Sequence, residues 1–279
     1  MQPTGDFHVH TNFCPHGSLD KMESYVKEAI ENNLQYLSFT EHAPLPRNFI
    51  DPTPASDSAM KWEDVEDYIK EGNRLKEKYR DQISILIGFE VDFIEGYHQD
   101  TEEFLNQYGD QIDDAILSVH MLKAPDNTYV CIDYSTEEFE RIISLFGSIE
   151  FVYETYYQTV KSAIKHDLGK HKPTRIGHLT LIEKFANLYP TNKTFDSEID
   201  EILKLIKEKG YMLDLNTAGL YKTHCKSIYP NQSVIKKANQ LSIPFVTGSD
   251  SHEAKTIARG FDQLPTDIML SVPSKIYKS

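Results

Sequence analysis

Cysteine is scarce in this chain. Three thiols, Cys14, Cys131 and Cys225, lie far apart in 279 residues. They supply neither a disulfide framework nor a Cys-x-x-Cys metal site, a usage that suits a reducing compartment. Long apolar runs are missing too. The longest nearly unbroken one, Ile83–Phe89, is far short of the ~18 residues that a membrane span requires. The opening Met-Gln-Pro-Thr-Gly-Asp carries no basic-then-apolar signal pattern, so the expectation is a soluble, cytoplasmic protein. Positive charge is also in short supply: 29 Lys and Arg stand against 43 Asp and Glu, for a net charge of -14. That balance argues against a long electrostatic footprint on nucleic acid. A phosphate-bearing ligand would need local positive charge that the bulk composition does not provide.

What is present excludes disorder and low complexity: 39% of residues are hydrophobic, 26% are charged, and the apolar ones are spread throughout. Seven short β-rich runs bounded by turn residues are Asp6–His10, Gln35–Thr40, Ile83–Glu90, Asp114–His120, Arg175–His178, Tyr211–Asn216 and Pro244–Gly248. Helical periodicity fills Leu19–Asn33, Trp62–Tyr79, Gln99–Tyr108, Thr136–Leu168 as one or two helices, Glu198–Lys209 and Gln232–Gln240. Alternation of apolar strands with helices indicates a parallel sheet covered by helices, and seven units in a row favour closure. The expected fold is a distorted (β/α)7 barrel forming a single domain over residues 1–279. Residues 43–60, with Pro44, Pro46, Pro52 and Pro54, cannot continue a helix or central strand and read as a long loop that could serve as a lid.

Of the 11 histidines, His8, His10, His16, His42, His120, His178 and His252 fall at or just past strand ends, where barrel enzymes place their chemistry. In Asp6-Phe7-His8-Val9-His10, alternation sets both imidazoles on one face about 7 Å apart, a spacing for two ligands of one metal or for a hydrogen-bonded pair. The second strand ends Glu41-His42. In the third, Glu90 and Asp92 share a face after an apolar run, where a carboxylate needs a salt-bridge partner or a metal. Asp250-Ser251-His252 is a helix cap or a ligand pair. Together these polar clusters converge as a metal site. Seven histidines with Glu90 and Asp250 are more than one ion can use, since zinc takes about four ligands, so two or three divalent ions are expected.

These motifs resemble the polymerase and histidinol phosphatase (PHP) superfamily of metal-dependent phosphoesterases. Its opening His-x-His, Glu-His, lone Glu, two single His and closing Asp-x-His occur in order as His8/His10, Glu41-His42, Glu90, His120, His178 and Asp250/His252. Thr40-Glu41-His42-Ala43-Pro44, Arg175-Ile176-Gly177-His178-Leu179 and Leu215-Asn216-Thr217-Ala218-Gly219-Leu220 look like the histidinol-phosphatase branch. The resemblance implies a trinuclear centre: His8, His10, Glu90 and Asp250 on the first metal, Glu90 with His120 and His178 on the second, and His16, His42 and His252 on the third. Zn, Fe or Mn would suit these donors. It further implies hydrolysis of L-histidinol phosphate in histidine biosynthesis by a metal-activated hydroxide, with Glu90, Asp250 and His252 as catalytic residues. Arg175 and Arg259 are candidates for a phosphate clamp or for surface ion pairs. Glu41 and Asp92 would receive the substrate ammonium or orient ligand histidines, and Asn216 would hydrogen-bond substrate. The leaving-group acid has no clear owner. A nucleotide phosphatase or nuclease of the same superfamily is the rival reading, and a non-catalytic metal-binding domain is a third. The expected partner is a small phosphate monoester, with neither nucleic acid nor membrane, and the oligomeric state is left open.

Overall fold

A computed structural model describes residues 3–273, so the expected domain bounds of 1–279 extend beyond it at both ends. In chain order the elements are β1 (Gly5–Val9), α1 (Met22–Glu31), β2 (Tyr36–His42), α2 (Val65–Lys78), β3 (Ser84–Asp92), α3 (His98–Tyr108), β4 (Asp114–Ser118), β5 (Met121–Lys123), β6 (Tyr129–Cys131), α4 (Thr136–Phe146), α5 (Ile149–Lys165), β7 (Arg175–Ile176), α6 (Asp196–Lys209), β8 (Met212–Asn216), α7 (Gln232–Gln240) and β9 (Phe245–Gly248). Seven parallel strands form one sheet in the order β1-β2-β3-β4-β7-β8-β9. The barrel nearly closes where β9 returns to β1: Asp250 N–H donates to the His8 carbonyl (2.8 Å) and His10 N–H to the Ser251 carbonyl (2.8 Å). The expected (β/α)7 barrel is therefore present. Its distortion sits at β7, which is only two residues long, and at the irregular register of β1 on β2 between Asp6 and Val9.

Two departures from the sequence reading bear on the site. The antiparallel hairpin β5–β6, turning through Asn127 at φ 69°, was not expected. Residues 43–60 form no helix or strand, as expected, yet Phe49 and Met60 within them are buried.

Strand alternation sorts the side chains. Ile85, Ile87, Phe89 and Val91 of β3 belong to the main core under the helices. Leu86 instead meets Phe7, Met212 and Val246, from strands that are not all neighbours, so these four fill the lower lumen. Above them the lumen becomes polar. Arg175 donates to Asp114 (2.7 Å) and stands 3.9 Å from Asp214, and Ser38 donates to Asp114 (2.7 Å). The histidines lie higher still, at the C-terminal ends of the strands.

Candidate metal centre

Glu90 stands at the middle of the group. One carboxylate oxygen lies 2.8 Å from His178 Nε2 and 3.8 Å from His120 Nε2; the other lies 3.3 Å from His8 Nε2, 3.5 Å from His10 Nε2 and 3.2 Å from His42 Nδ1. Asp250 Oδ1 is 3.2 Å from His10 Nε2 and 3.8 Å from His8 Nε2. The His10 ring is stacked between His42 and His252, with centroids 4.1 and 4.2 Å away, and His16 lies 5.2 and 5.0 Å from the same two rings. All nine candidate ligands thus gather in one place. Donor atoms lie within 4.8 Å of one another in three sets: His8, His10 and Asp250; His8, Glu90 and His178; and His10, Cys14, His42 and His252.

The outer nitrogens of these rings are held from behind. His8 Nδ1 pairs with Asp214 (2.8 Å), His10 Nδ1 with Glu41 (3.2 Å) and His120 Nδ1 with Asp92 (2.8 Å). Nδ1 of His16 and of His252 bonds to the carbonyl of Asp57 (2.7 Å) and of Asp250 (3.0 Å). Such partners set the tautomer and leave the other nitrogen free to ligate. Buried nitrogens without hydrogen-bond partners include His8 Nε2, His10 Nε2, His42 Nδ1, His178 Nδ1 and His252 Nε2. Buried polar atoms are rarely left unmatched, and three of these nitrogens, His8 Nε2, His10 Nε2 and His42 Nδ1, face the carboxylates of Glu90 and Asp250, a donor set that fits divalent cations.

Electrostatics point the same way. Burial opposes a proton on His10, but its bonds to Asp250 and Glu41 raise it to about 9. Burial likewise opposes one on His120, yet Asp92 and Glu90 raise it to about 10. His8 is also raised, against burial, by Asp214 and Glu90. Burial, followed by the neighbouring His10, pushes His42 and His252 down. Glu90 stays well below the usual carboxylate range despite burial because His8 and His120 face it. The centre attracts positive charge. Asp250 adopts φ 55°, a left-handed conformation that costs a non-glycine residue energy and tends to persist at functional sites. Gly248 is required beside it, since a Cβ there would lie 2.4 Å from His8 Cβ.

A cavity of about 580 Å³ opens over Glu90, Asp250 and five of the histidines, with Asp92, Lys184, Lys222 and Arg259 also in its wall. Three substrate-binding expectations need correction. Arg175 is 1% exposed and locked in the lumen with Asp114, below the ligands, so it cannot reach a phosphate in the cavity. Glu41 is fully buried; its two oxygens are taken by His10 and by the N–H and hydroxyl of Thr11. Asn216, also fully buried, donates to Asp214 and Asp250. Asp92 keeps a place in the wall while holding His120. Arg259 lies in the wall with its guanidinium 4.1 Å over the Tyr221 ring.

Sequence reasoning missed Asp214, Cys14, Lys184 and Lys222. Asp214 shared a strand face with Asn216, and that spacing was a usable signal. Lys184 lies in a short 3-10 turn, Leu181–Phe185, and Lys222 just past another, Ala218–Tyr221; neither carried one. Although solvent still reaches Lys222, loss of water around its ammonium and then the nearby Lys184 lower its pKa.

The PHP domain family model matches residues 6–218, and the PHP-associated model matches 229–274. Histidinol-phosphatase of Bacillus subtilis is 44% identical over 259 residues, 92% of this chain and 96% of that protein. A Listeria monocytogenes crystal structure, of a protein assigned as a histidinol phosphatase, superposes with a TM-score of 0.90 at 39% identity over 94% of this chain and all of that one. Histidinol phosphate phosphatase of Lactococcus lactis, solved with zinc, L-histidinol and phosphate, has a TM-score of 0.72 at 22% identity over 98% and 97% of the two chains. By its ordered ligand motifs, its seven-stranded barrel and these matches, the chain belongs to the PHP domain family.

Proposed function

We propose that this protein hydrolyses the phosphate monoester of L-histidinol phosphate to L-histidinol and inorganic phosphate, using two to three divalent ions from among Zn, Fe and Mn. The observation that carries the reading is the set of partnerless buried nitrogens of His8, His10 and His42 converging on Glu90 and Asp250 under a cavity with cationic side chains in its wall. The 44% identity to a histidinol-phosphatase over nearly the full length of both chains supports the substrate. Glu90 and Asp250 with His8, His10, His120 and His178 would hold two ions, and His16, His42 and His252 the third. Bound ions would supply Lewis-acid charge for the phosphate and make a water acidic near neutral pH.

The chain's own residues do the rest. Asp214, Glu41 and Asp92 hold three histidines so that their inner nitrogens stay unprotonated when ligating. Arg259, with Lys222 beside it in the wall, replaces Arg175 as the phosphate clamp, because phosphoryl transfer rests on positioning and charge neutralisation. These cations also answer the charge question raised by the acidic composition. Lys222, in the same wall and with its pKa lowered, would give a proton to the departing alkoxide. Asp92, which shares the wall with Asp57, Asp133 and Glu253, would receive the substrate ammonium. A cytoplasmic location goes with this reading, since all three cysteines are unpaired.

Phosphate release from histidinol phosphate, a mononucleotide and a generic ester, with and without chelator, tests the proposal. Chelator-sensitive preference for histidinol phosphate is expected. Preference for the mononucleotide would overturn the substrate while leaving a phosphoesterase, and chelator-insensitive release would overturn the metal mechanism.

A further inference from the structure

Asp51, in the Pro-rich loop and outside the ring of ligands, accepts four hydrogen bonds. One carboxylate oxygen takes the N–H (2.9 Å) and hydroxyl (2.8 Å) of Thr53; the other takes the N–H (2.9 Å) and hydroxyl (2.7 Å) of Ser58. The Thr53 hydroxyl oxygen accepts in turn from Asp57 N–H (3.2 Å). The chain of contacts ends at the metal centre, where the Asp57 carbonyl receives His16 Nδ1 at 2.7 Å. The loop is also fastened on either side of this knot. Phe49 packs edge-on against Tyr97 and Tyr129, centroids 5.2 and 5.0 Å away. Trp62 Nε1 donates to the Leu45 carbonyl (2.8 Å), and Met60 N–H to the His42 carbonyl (3.3 Å). A segment without helix or strand is tied at its flanks and cinched in its middle, the construction of a brace.

We propose that Asp51 is a positioning residue for the third metal: through the Asp57 carbonyl it holds His16 with Nε2 free to ligate beside His42 and His252. Retention of that one ion then depends on a side chain that touches neither metal nor substrate. The inference rests on the metal-centre reading above. A carbonyl bonded to Nδ1 fixes the tautomer and the ring plane, and loss of such a partner typically weakens metal binding by about 10- to 100-fold.

The test compares the unmutated protein with Asp51→Ala, Asp51→Asn and Ile50→Ala, all purified without chelator. Ile50, 86% exposed, controls for altering the loop itself. Metal per chain is measured by elemental analysis, and release is followed with a chromophoric chelator. Asp51→Ala should release its most labile ion at least about tenfold faster, with the slower ions and the thermal midpoint of the metal-free protein unchanged. Asp51→Asn, which keeps one acceptor oxygen, should fall between, and it carries the same test if Asp51→Ala does not fold. Ile50→Ala should match the unmutated protein. Equal release from Asp51→Ala and the unmutated protein would overturn the proposal, as would simultaneous loss of every ion or a lowered metal-free midpoint. Fewer than two ions in the unmutated protein would instead bring down the metal-centre reading, and the brace with it.

Discussion

A guanidinium that is 1% exposed among carboxylates, as Arg175 is, cannot be deleted without stranding Asp114 in the lumen. Removing one partner of a buried pair costs about 3–5 kcal/mol, so Arg175→Ala should lower the urea midpoint severely. Arg259→Ala, at the cavity wall, should leave stability within about 0.5 kcal/mol. Its cost falls on kcat/KM for every phosphomonoester, by roughly 10- to 150-fold, the worth of one charged hydrogen bond. Unfolding curves beside steady-state kinetics check the pair, and equal stability losses would return Arg259 to a structural role. A second contrast separates the two glutamates. Glu90 reaches the rings of five histidines and Glu41 the ring of one. Glu41→Gln should lose about 10- to 100-fold in activity or metal affinity and Glu90→Gln considerably more. Comparable kcat in both variants with full metal content would refute the assignment of Glu90 as the shared ligand.

At the scale of elements, β9 comes close to β1 at Gly248. Gly248→Ala must push His8 aside, because the new Cβ would sit 2.4 Å from His8 Cβ. Overpacking costs typically ~1–3 kcal/mol, and here it displaces a candidate ligand as well. A lowered thermal midpoint together with reduced metal per chain is expected; a midpoint drop with full metal content would show that the strands absorb the strain elsewhere. The seven strands were legible because apolar runs between turn residues mark a parallel sheet, and the nine ligands because they sit toward or just past the ends of such runs. The β5–β6 hairpin was not, since three-residue strands carry too little alternation to register. Depth along a strand was equally hidden. Arg175 lies three residues before His178, yet β7 ends at Ile176, and its guanidinium is engaged by Asp114 and Asp214 in the lumen and not by the cavity. The brace at residues 51–58 was visible only as a Pro-rich interruption, because side-chain bonds to a single Asp have no periodicity.

The whole molecule carries a net charge of -14 and gathers its positive charge where protons and metals compete. In the metal-free protein His10 is raised to about 9 and His120 to about 10, both above the ordinary imidazole value near 6.5. A folded pKa raised in this way contributes stability that is complete below the unfolded value and lost as pH climbs through 9 to 10. Metal loading has the opposite slope, because ligand nitrogens must be deprotonated and each ion that binds drives protons off. Near pH 7 loading should release at least the protons of these two histidines, and apparent metal affinity should strengthen as pH rises. The thermal midpoint gap between loaded and chelated protein should therefore widen from pH 6 to pH 9. Paired melting curves across that window, with calorimetric titration of metal in buffers of different ionisation enthalpy, measure both quantities. A gap that stays flat, with no proton release, would mean that the imidazoles are already neutral in the metal-free protein and that Asp92, Glu41 and Asp214 orient the rings without charging them.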